Sequence, residues 1–548
     1  MKVDGRTDGE IIGDMKKVEF DPTLVHGWLR RSARRFPDKE ALICGQQRWT
    51  YKALNQRSDH LAAALQDVGV RRQDRVVVLL DNSSETVISL YGILKAGGVF
   101  VILAGSVKGA KLRYIMENAE ANVLITHTSK SRIVSDKLGQ IRRDLKVIWV
   151  GPTNQIPKEF AQSSLSWSEI FSNCSNKVGD NQENGRLPRC VDVDLAALIY
   201  TSGSTGEPKG VMSTHHNMIS AARSIMQYIG NEQDDVILDA LPLSFDYGLY
   251  QVIMAVMFGG GVVLEQSFIY LHNIMTRIAE EKVTGFPIVP IMVAILLKMR
   301  DLSEYDLSSL RYITNTGAAL PVQHIRSLQQ LLPHVKIFSM FGLTECKRVG
   351  YLEPGELGKR PGSVGKAMPN CEVLVVDEDG NEVGPGEIGE LIIRGSNVMQ
   401  GYWSDPQMTS KVYHPGIYPA SRWLYSGDYF RKDEDGFLYF LGRKDDMIKT
   451  RGERVSPKEV ENVICELEGV VEAVVVGIPD EILGQAVKAY IVPAPAAKIT
   501  GKQVMRYCTA NMETFMVPRY IEFIDELPKT LNGKIDKKQL KSTEIKQI

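Results

Sequence analysis

Apolar positions along the chain switch repeatedly between two spacings. Residues 74–80, DRVVVLL, form a short apolar run of the buried-strand type. Val87, Leu90, Tyr91 and Leu94 then recur at the spacing of one helix face, and GGVFVIL returns to a strand. Leu112, Ile115, Met116 and Ala119 repeat the helical stripe, followed by strands at NVLIT and at residues 146–150. Strands alternating with amphipathic helices at this interval predict parallel βαβ units, so the bulk of the chain is expected to be α/β. Residues 151–190 are polar and read as an exposed connection. No internal repeat or low-complexity tract interrupts the pattern.

Farther on, LPLSFDYGLYQVIMAVMFGGG changes from turn chemistry to an apolar helix, with Asp246 at its start and glycines at its end. KIFSMFGLTECKR passes from apolar run to polar turn, which places Glu345 just beyond a strand end. Ligands of open α/β sheets collect outside such ends, so the ends near Thr201, Phe245 and Thr344 are expected to line one site. SPKEVENVICEL carries a capping box from Ser456 to Glu459 with Pro457 at the first helical position. Strands at VEAVVVG and AVKAYIV, a helix from about Thr500 and a strand at RYIEFID complete a compact α+β unit of roughly a hundred residues. The expected division is a flexible N-terminus over 1–20, a large domain over 21–445 with βαβ-built sheets, and a small α+β domain over 446–548.

At 548 residues the chain is too long for one core. Its net charge of -1 argues against a nucleic-acid protein held by a global basic field. Seven scattered cysteines, none in a Cys-x-x-Cys pair, read as reduced thiols of a cytoplasmic protein without a disulfide framework or zinc site. The N-terminal segment has no apolar stretch long enough for a signal peptide or membrane span.

The densest chemistry lies at residues 198–211, LIYTSGSTGEPKGV. Apolar residues lead into Thr201, Ser202, Gly203, Ser204, Thr205 and Gly206, and Lys209 closes the run. Glycines let backbone N–H groups turn toward an anion, hydroxyls donate further hydrogen bonds, and the lysine adds a point charge. A Gly/Ser linker is the bland alternative, but linkers do not usually follow an apolar strand so closely. The loop is not a Walker motif, because Glu-Pro separates Gly206 from Lys209.

LKAGGVFVIL, LIYTSGSTGEPKGV, FGLTE, GEIGELIIRGSNVMQGYW, YSGDY, GRKDDMIKTRGERVSPKEVE and LPKTLNGKIDKKQL, taken in this order, resemble the adenylate-forming enzymes: acyl-CoA synthetases, amino-acid adenylation domains and beetle luciferase. The likeness covers nearly the whole chain. It departs at AGSVKGAKL, a scaffold position where members usually carry prolines.

The resemblance implies two half-reactions. A carboxylate attacks the α-phosphate of ATP, releasing pyrophosphate, and a thiol then takes the acyl group while AMP leaves. Both reactants of the first step are anions, so cations and N–H donors must offset their repulsion. The 201–209 loop would hold the β- and γ-phosphates, Glu345 would hold Mg²⁺, and Thr344 would touch the α-phosphate. Phe341, followed by Gly342, would stack on adenine beside the turn of Gly317, Ala318 and Ala319. Asp428 would accept the ribose hydroxyls, and Arg443 would support ribose and phosphate. Lys534 in NGKID would bridge carboxylate and α-phosphate as the catalytic cation. Singly, each of these residues reads as a turn or surface residue; their joint order gives them roles. Because Lys534 lies in the small domain, that domain must dock for the first step. The family moves it for the second, with Asp445 at the hinge and Gly452 at the thiol tunnel.

For the acid, Asp246 matches the position where amino-acid adenylation domains pair with the substrate ammonium; its bland role is a helix N-cap. Tyr247, Tyr250, Ile313, Asn315, Met340 and Arg348 match other positions of the acyl pocket. An acid and a base together suggest a substrate with a second polar or acidic group, or a mutual Asp246–Arg348 pair. The Glu-Cys-Lys-Arg run resembles stand-alone enzymes that activate amino acids, including β-amino acids, for a carrier protein. The expected acid is therefore small, an amino or β-amino acid, with a separate phosphopantetheine carrier protein as acceptor, as in nonribosomal peptide or polyketide biosynthesis. Free coenzyme A is the alternative, and Lys449, Arg451, Arg454 and Lys458 are candidates for its 3'-phosphate. A non-catalytic relative is a further class, opposed by intact Lys534, Glu345 and Asp428. No sequence feature supports luciferase-like oxygenation.

Overall fold

The computed structural model describes residues 21–138, 145–160, 164–172, 189–202, 207–299, 302–317, 320–416, 418, 421–450, 453–480, 483–495, 497–529, 535–537 and 539–540. The flexible N-terminus expected over 1–20 lies outside them, as do Gly203, Ser204, Thr205, Gly206, Ala318, Ala319, Arg451, Gly452 and Lys534 and the side chains of Ser202 and Arg454.

The βαβ reading of the first half matches the structure. Arg75–Leu79, Val99–Leu103, Val123–His127 and Lys146–Val150 are parallel neighbours in a seven-stranded sheet. The sheet ends on Leu195–Ser202 and its antiparallel partner Pro208–Thr214. One expectation fails: the 151–190 connection contributes a strand, Ser164–Ser166, and a short helix, Trp167–Ser172. Their polar sequences have too little apolar periodicity to be seen, yet Trp167 and Phe171 pack against the core.

A second sheet of fourteen strands runs from Cys371–Val376 at one edge to Gln47–Thr50 at the other. Tyr312–Asn315 and Lys336–Phe341 are parallel neighbours near its middle. Helices are sandwiched between the two sheets, and one core joins Val76 and Phe100 of the first to Leu42, Ile237 and Val262 of the second. Asp246–Phe258 is the deepest of these helices, with every residue from Asp246 to Met257 buried. It is apolar nearly all round because both of its faces are covered. It starts directly after Phe245, so the expected strand end there is a helix N-terminus instead.

After Leu438–Arg443, the last strand of the large sheet, a single 3-10 turn, Lys444–Asp446, leads into Ile448–Thr450 of a separate five-stranded sheet. Ser456 caps Pro457–Glu466 by accepting from the Glu459 N–H at 3.1 Å, and Thr500 caps Gly501–Asn511 in a full capping box. Both helices pack on Val470–Asp480 and Gly484–Pro493.

Candidate active site

The half expected to face the nucleotide is built from strand ends tied together by buried amides. Thr201 pairs with Lys209 and Ser202 with Pro208 across the hairpin that carries the phosphate loop. The 395–403 segment is laid along that hairpin. Trp403 N–H donates to Gly210 O at 2.8 Å, Met212 N–H to Gly401 O at 2.9 Å, and Gln400 N–H to Met212 O at 2.9 Å. Asn217 fixes this segment by donating to Ser396 O at 2.8 Å and Val398 O at 2.9 Å, while Asn397 donates to Cys346 O and Arg348 O at 2.9 Å each. These bonds replace those that a regular ladder would supply.

The clamp brings Tyr402 to Glu345: the phenol donates to Glu345 Oε1 at 2.7 Å. Lys209 Nζ lies 5.6 Å from the Tyr402 ring centroid. Tyr402 therefore connects the phosphate-loop lysine to the expected magnesium carboxylate. Burial and the adjacent Glu345 push the Tyr402 phenol well up, so it stays a donor. Gly342 is required in the turn before Glu345, because a Cβ there would meet Lys347 O at 2.2 Å. Thr344 sits half-buried in the same turn.

Asp428 and Arg443 are opposite each other on adjacent strands, with Nε 3.2 Å from Oδ1. Asp428 is almost buried and Arg443 largely exposed, with side-chain exposures of 4% and 60%. Such a pair has a fixed carboxylate and an adaptable cation. Phe341, at the end of Lys336–Phe341, packs edge-on against Phe430 at 4.9 Å and near-parallel to Phe440 at 5.8 Å. Gly317 takes a left-handed φ of 86° beside Phe245. Asp445 is exposed in the turn between the two sheets.

The residues expected to line the acyl pocket converge as well, but with a different pairing. Phe245 is the N-cap and Asp246 the first helical residue, so the expected cap role for Asp246 fails. Its partner is Lys347, whose Nζ donates to Asp246 O at 2.8 Å and lies 3.4 Å from Oδ2. The expected Asp246–Arg348 pair is thus replaced by its neighbour. Lys347 adopts φ 63°, a left-handed turn that sends adjacent side chains different ways. Its ammonium lies 4.4 Å from the Tyr250 ring centroid, while the Arg348 guanidinium faces Tyr247 at 5.4 Å. Burial pulls Lys347 down to about 7, against the raising effect of Asp246. Tyr247 donates to Thr314 at 2.7 Å; Ile313 and Asn315 beside it are fully buried, and Met340 accepts from Tyr228 at 2.9 Å. Lys347, Tyr402, Asn217, Asn397 and Tyr228 received no role from the sequence. Tyr402 and Asn397 lie within the recognised GSNVMQGYW run, whereas Tyr228 carries no local signal.

Comparison with known proteins identifies the family. Residues 29–403 match the AMP-binding enzyme family, and residues 459–534 match the AMP-binding enzyme C-terminal domain. A long-chain-fatty-acid–CoA ligase of Bacillus subtilis (strain 168) is 32% identical over 530 residues, 93% of each chain. An indoleacetate–CoA ligase of Aromatoleum aromaticum is 30% identical, covering 93% of this chain and 96% of the relative. The crystal structure of an anthranilate CoA ligase in complex with anthranoyl-AMP superposes with a TM-score of 0.87 at 28% identity, covering 96% of this chain and 98% of the other. The chain belongs to the AMP-binding enzyme family. Within that class it is an AMP-forming acid–thiol ligase, an ATP-dependent enzyme that activates a carboxylate as its adenylate. No helix among the described residues is long and apolar enough to cross a membrane.

Proposed function

We propose that this enzyme is an AMP-forming acyl-CoA ligase, with coenzyme A rather than a carrier protein as the thiol. The relatives reported above, matched over nine-tenths of their length, are CoA ligases, and this reverses the order of acceptors expected from the sequence. The amino-acid reading rested on Asp246. That carboxylate already faces an ammonium of its own chain, Lys347, so a substrate amino group would have to displace it. An acid without an amino group at that position fits better.

The observation that carries the nucleotide half is the Tyr402 bond to Glu345 beside Lys209. Lys209 and the 201–206 loop hold the β- and γ-phosphates, and Thr344 contacts the α-phosphate. Asp428 accepts from the ribose hydroxyls, with Arg443 swinging between Asp428 and phosphate. Phe341 and the 317–319 turn flank the adenine. Glu345 offers one carboxylate to Mg²⁺, enough for an ion that takes most of its oxygens from phosphates and water. Magnesium, when bound, spreads the triphosphate charge. Residues 21–445 form the adenylating body and 446–548 the small domain, with Asp445 as hinge. Gly452 lines the thiol path, and exposed Lys449 is one cation for the coenzyme A phosphate.

Lys534 supplies the cation at the α-phosphate in the first half-reaction only. Lys534→Ala should therefore lower pyrophosphate release by about 10²- to 10³-fold, the loss typical of one removed electrostatic contact. Coenzyme A thioester formation from a supplied acyl-adenylate should be spared. Equal loss in both half-reactions would reject the division, and no thioester from any adenylate would reject coenzyme A as acceptor.

A further inference from the structure

The acyl side of the site contains a cation with no anion. Arg348 is 2% exposed. Among the described residues its Nε has no hydrogen-bond acceptor, and no carboxylate lies within ion-pair distance of the guanidinium. Its surroundings are the Tyr247 ring, the Tyr228 phenol and the neighbouring ammonium of Lys347, which adds repulsion. The Tyr228 ring is itself fixed by stacking on Tyr351 at 3.9 Å and by its bond to Met340.

Neither buried carboxylate nearby forms an ion pair with Arg348, although Asp239 Oδ2 has no hydrogen-bond partner among the described residues. Asp246 holds Lys347. Asp239 accepts from Leu241 N–H at 3.1 Å and its charge partner is Lys347; burial pushes this carboxyl well up, toward its neutral form. The Tyr228 phenol hydrogen-bonds the guanidinium but brings no charge. A guanidinium buried without a counter-ion is strongly unfavourable, and it cannot lose its proton. Such a group survives selection where a ligand completes it. Its planar fork matches a carboxylate with two parallel bonds, and a neutral acceptor would leave the charge uncompensated.

We propose that the acid substrate carries a second carboxylate, distal to the one that is adenylated, and that Arg348 binds it. Tyr247 and Tyr228 form the walls, and Met340 and Ile313 belong to the same hydrophobic cluster. This assignment rests on the reading of these residues as the acyl pocket of the ligase. Hydrophobic walls with a buried cation that lacks a counter-ion select an ω-acid over the plain acid of the same length, because the plain acid leaves the Arg348 charge uncompensated in the complex.

The test uses the full-length enzyme and matched pairs, hexanoate with adipate and benzoate with terephthalate. Binding is measured by calorimetry, and turnover by pyrophosphate release. In at least one pair the diacid should bind at least about 10-fold more tightly than the monoacid, the scale on which a site built for a polar group rejects its apolar analogue. Arg348→Met should remove that preference and favour the monoacid. Arg348→Lys keeps the charge without the fork and should retain part of the preference, which covers the case in which the methionine variant fails to fold. Diacids binding no better than monoacids in both pairs, or a diacid preference that survives Arg348→Met, would overturn the proposal. Tight diacid binding with no pyrophosphate release from any acid would count against the ligase reading alone and leave the Arg348 site standing.

Discussion

The two halves of the site, proposed to face the nucleotide and the acid, both place cations beside carboxylates, but they do so under different physical conditions. On the nucleotide side, Arg443 is 60% exposed, and the Glu345 and Asp428 positions are set by strand register and by the Asn217 and Asn397 clamps. Charges there can wait for ATP, because water solvates the exposed ones meanwhile. On the acyl side, Asp246, Lys347 and Arg348 are all buried. Every charge there must be paired by the fold, neutralised, or met by the substrate. On the proposed reading the outer half is generic, and the inner half selects the acid.

The largest test of this contrast is Asp246→Ala. It leaves the Lys347 ammonium buried without its ion pair, and it should destabilise the protein by about 3–5 kcal/mol, as removal of one partner of a buried pair does. Replacing both, as Asp246→Asn with Lys347→Met, should restore most of that loss, because no uncompensated charge remains. Denaturant unfolding of the three proteins reads both effects. If Asp246→Ala cost less than about 1 kcal/mol, as exposed pairs do, the inner half would be wetter than its burial implies.

The same contrast explains what the sequence could disclose. The outer half, as proposed, meets a triphosphate and a ribose, ligands that restrict its residue types, and those types occur at readable spacings from Thr201 to Asp428. Strands such as Arg75–Leu79 and the fully buried Asp246 helix were legible for a similar reason, since burial on both faces leaves an unbroken apolar run. The pairing inside the acyl pocket was not legible. Lys347 and Arg348 are adjacent cations, and only the left-handed backbone at Lys347 decides which of them meets Asp246. Tyr228 comes from a helix more than a hundred positions before Met340, and no local pattern connects them. The Trp167–Ser172 helix escaped notice because its length is below that at which periodicity is informative.

A smaller effect follows from the titration of Lys347, which burial lowers to about 7 from the ordinary lysine value of 10.5. The unfolded chain binds this proton more tightly, so charging the buried amine opposes folding. That penalty is complete below about pH 7 and fades as the pH rises toward the unfolded value. Relative to the Asp246→Asn/Lys347→Met double variant, the wild-type protein should gain about 2 kcal/mol between pH 7 and pH 9. Lys95, lowered by burial to about 8, titrates in the same window but is common to both proteins and cancels in the difference. Parallel stability curves for the two proteins would show that Lys347 keeps an ordinary affinity for its proton and that the inner half is not dry.

The smallest expected effect probes the outer half. Tyr402→Phe keeps the ring beside Lys209 and deletes only the bond to Glu345, whose net value is about 1 kcal/mol in a partly solvated setting. The corresponding change is a rise in the half-saturating ATP concentration of about 3- to 10-fold, with the acid's half-saturating concentration unmoved. That asymmetry follows from geometry: Tyr402 meets Val211 on the hairpin and Glu345 in the FGLTE turn, and touches neither Asp246 nor Arg348 through any bond among the described residues. Steady-state kinetics with each substrate varied in turn separates the two. A parallel rise for acid and ATP would mean that the FGLTE turn transmits strain from Glu345 through Gly342 to Lys347, whose carbonyl lies against that glycine. The two halves would then form one coupled site, and substrate selection would depend on occupancy of the nucleotide pocket.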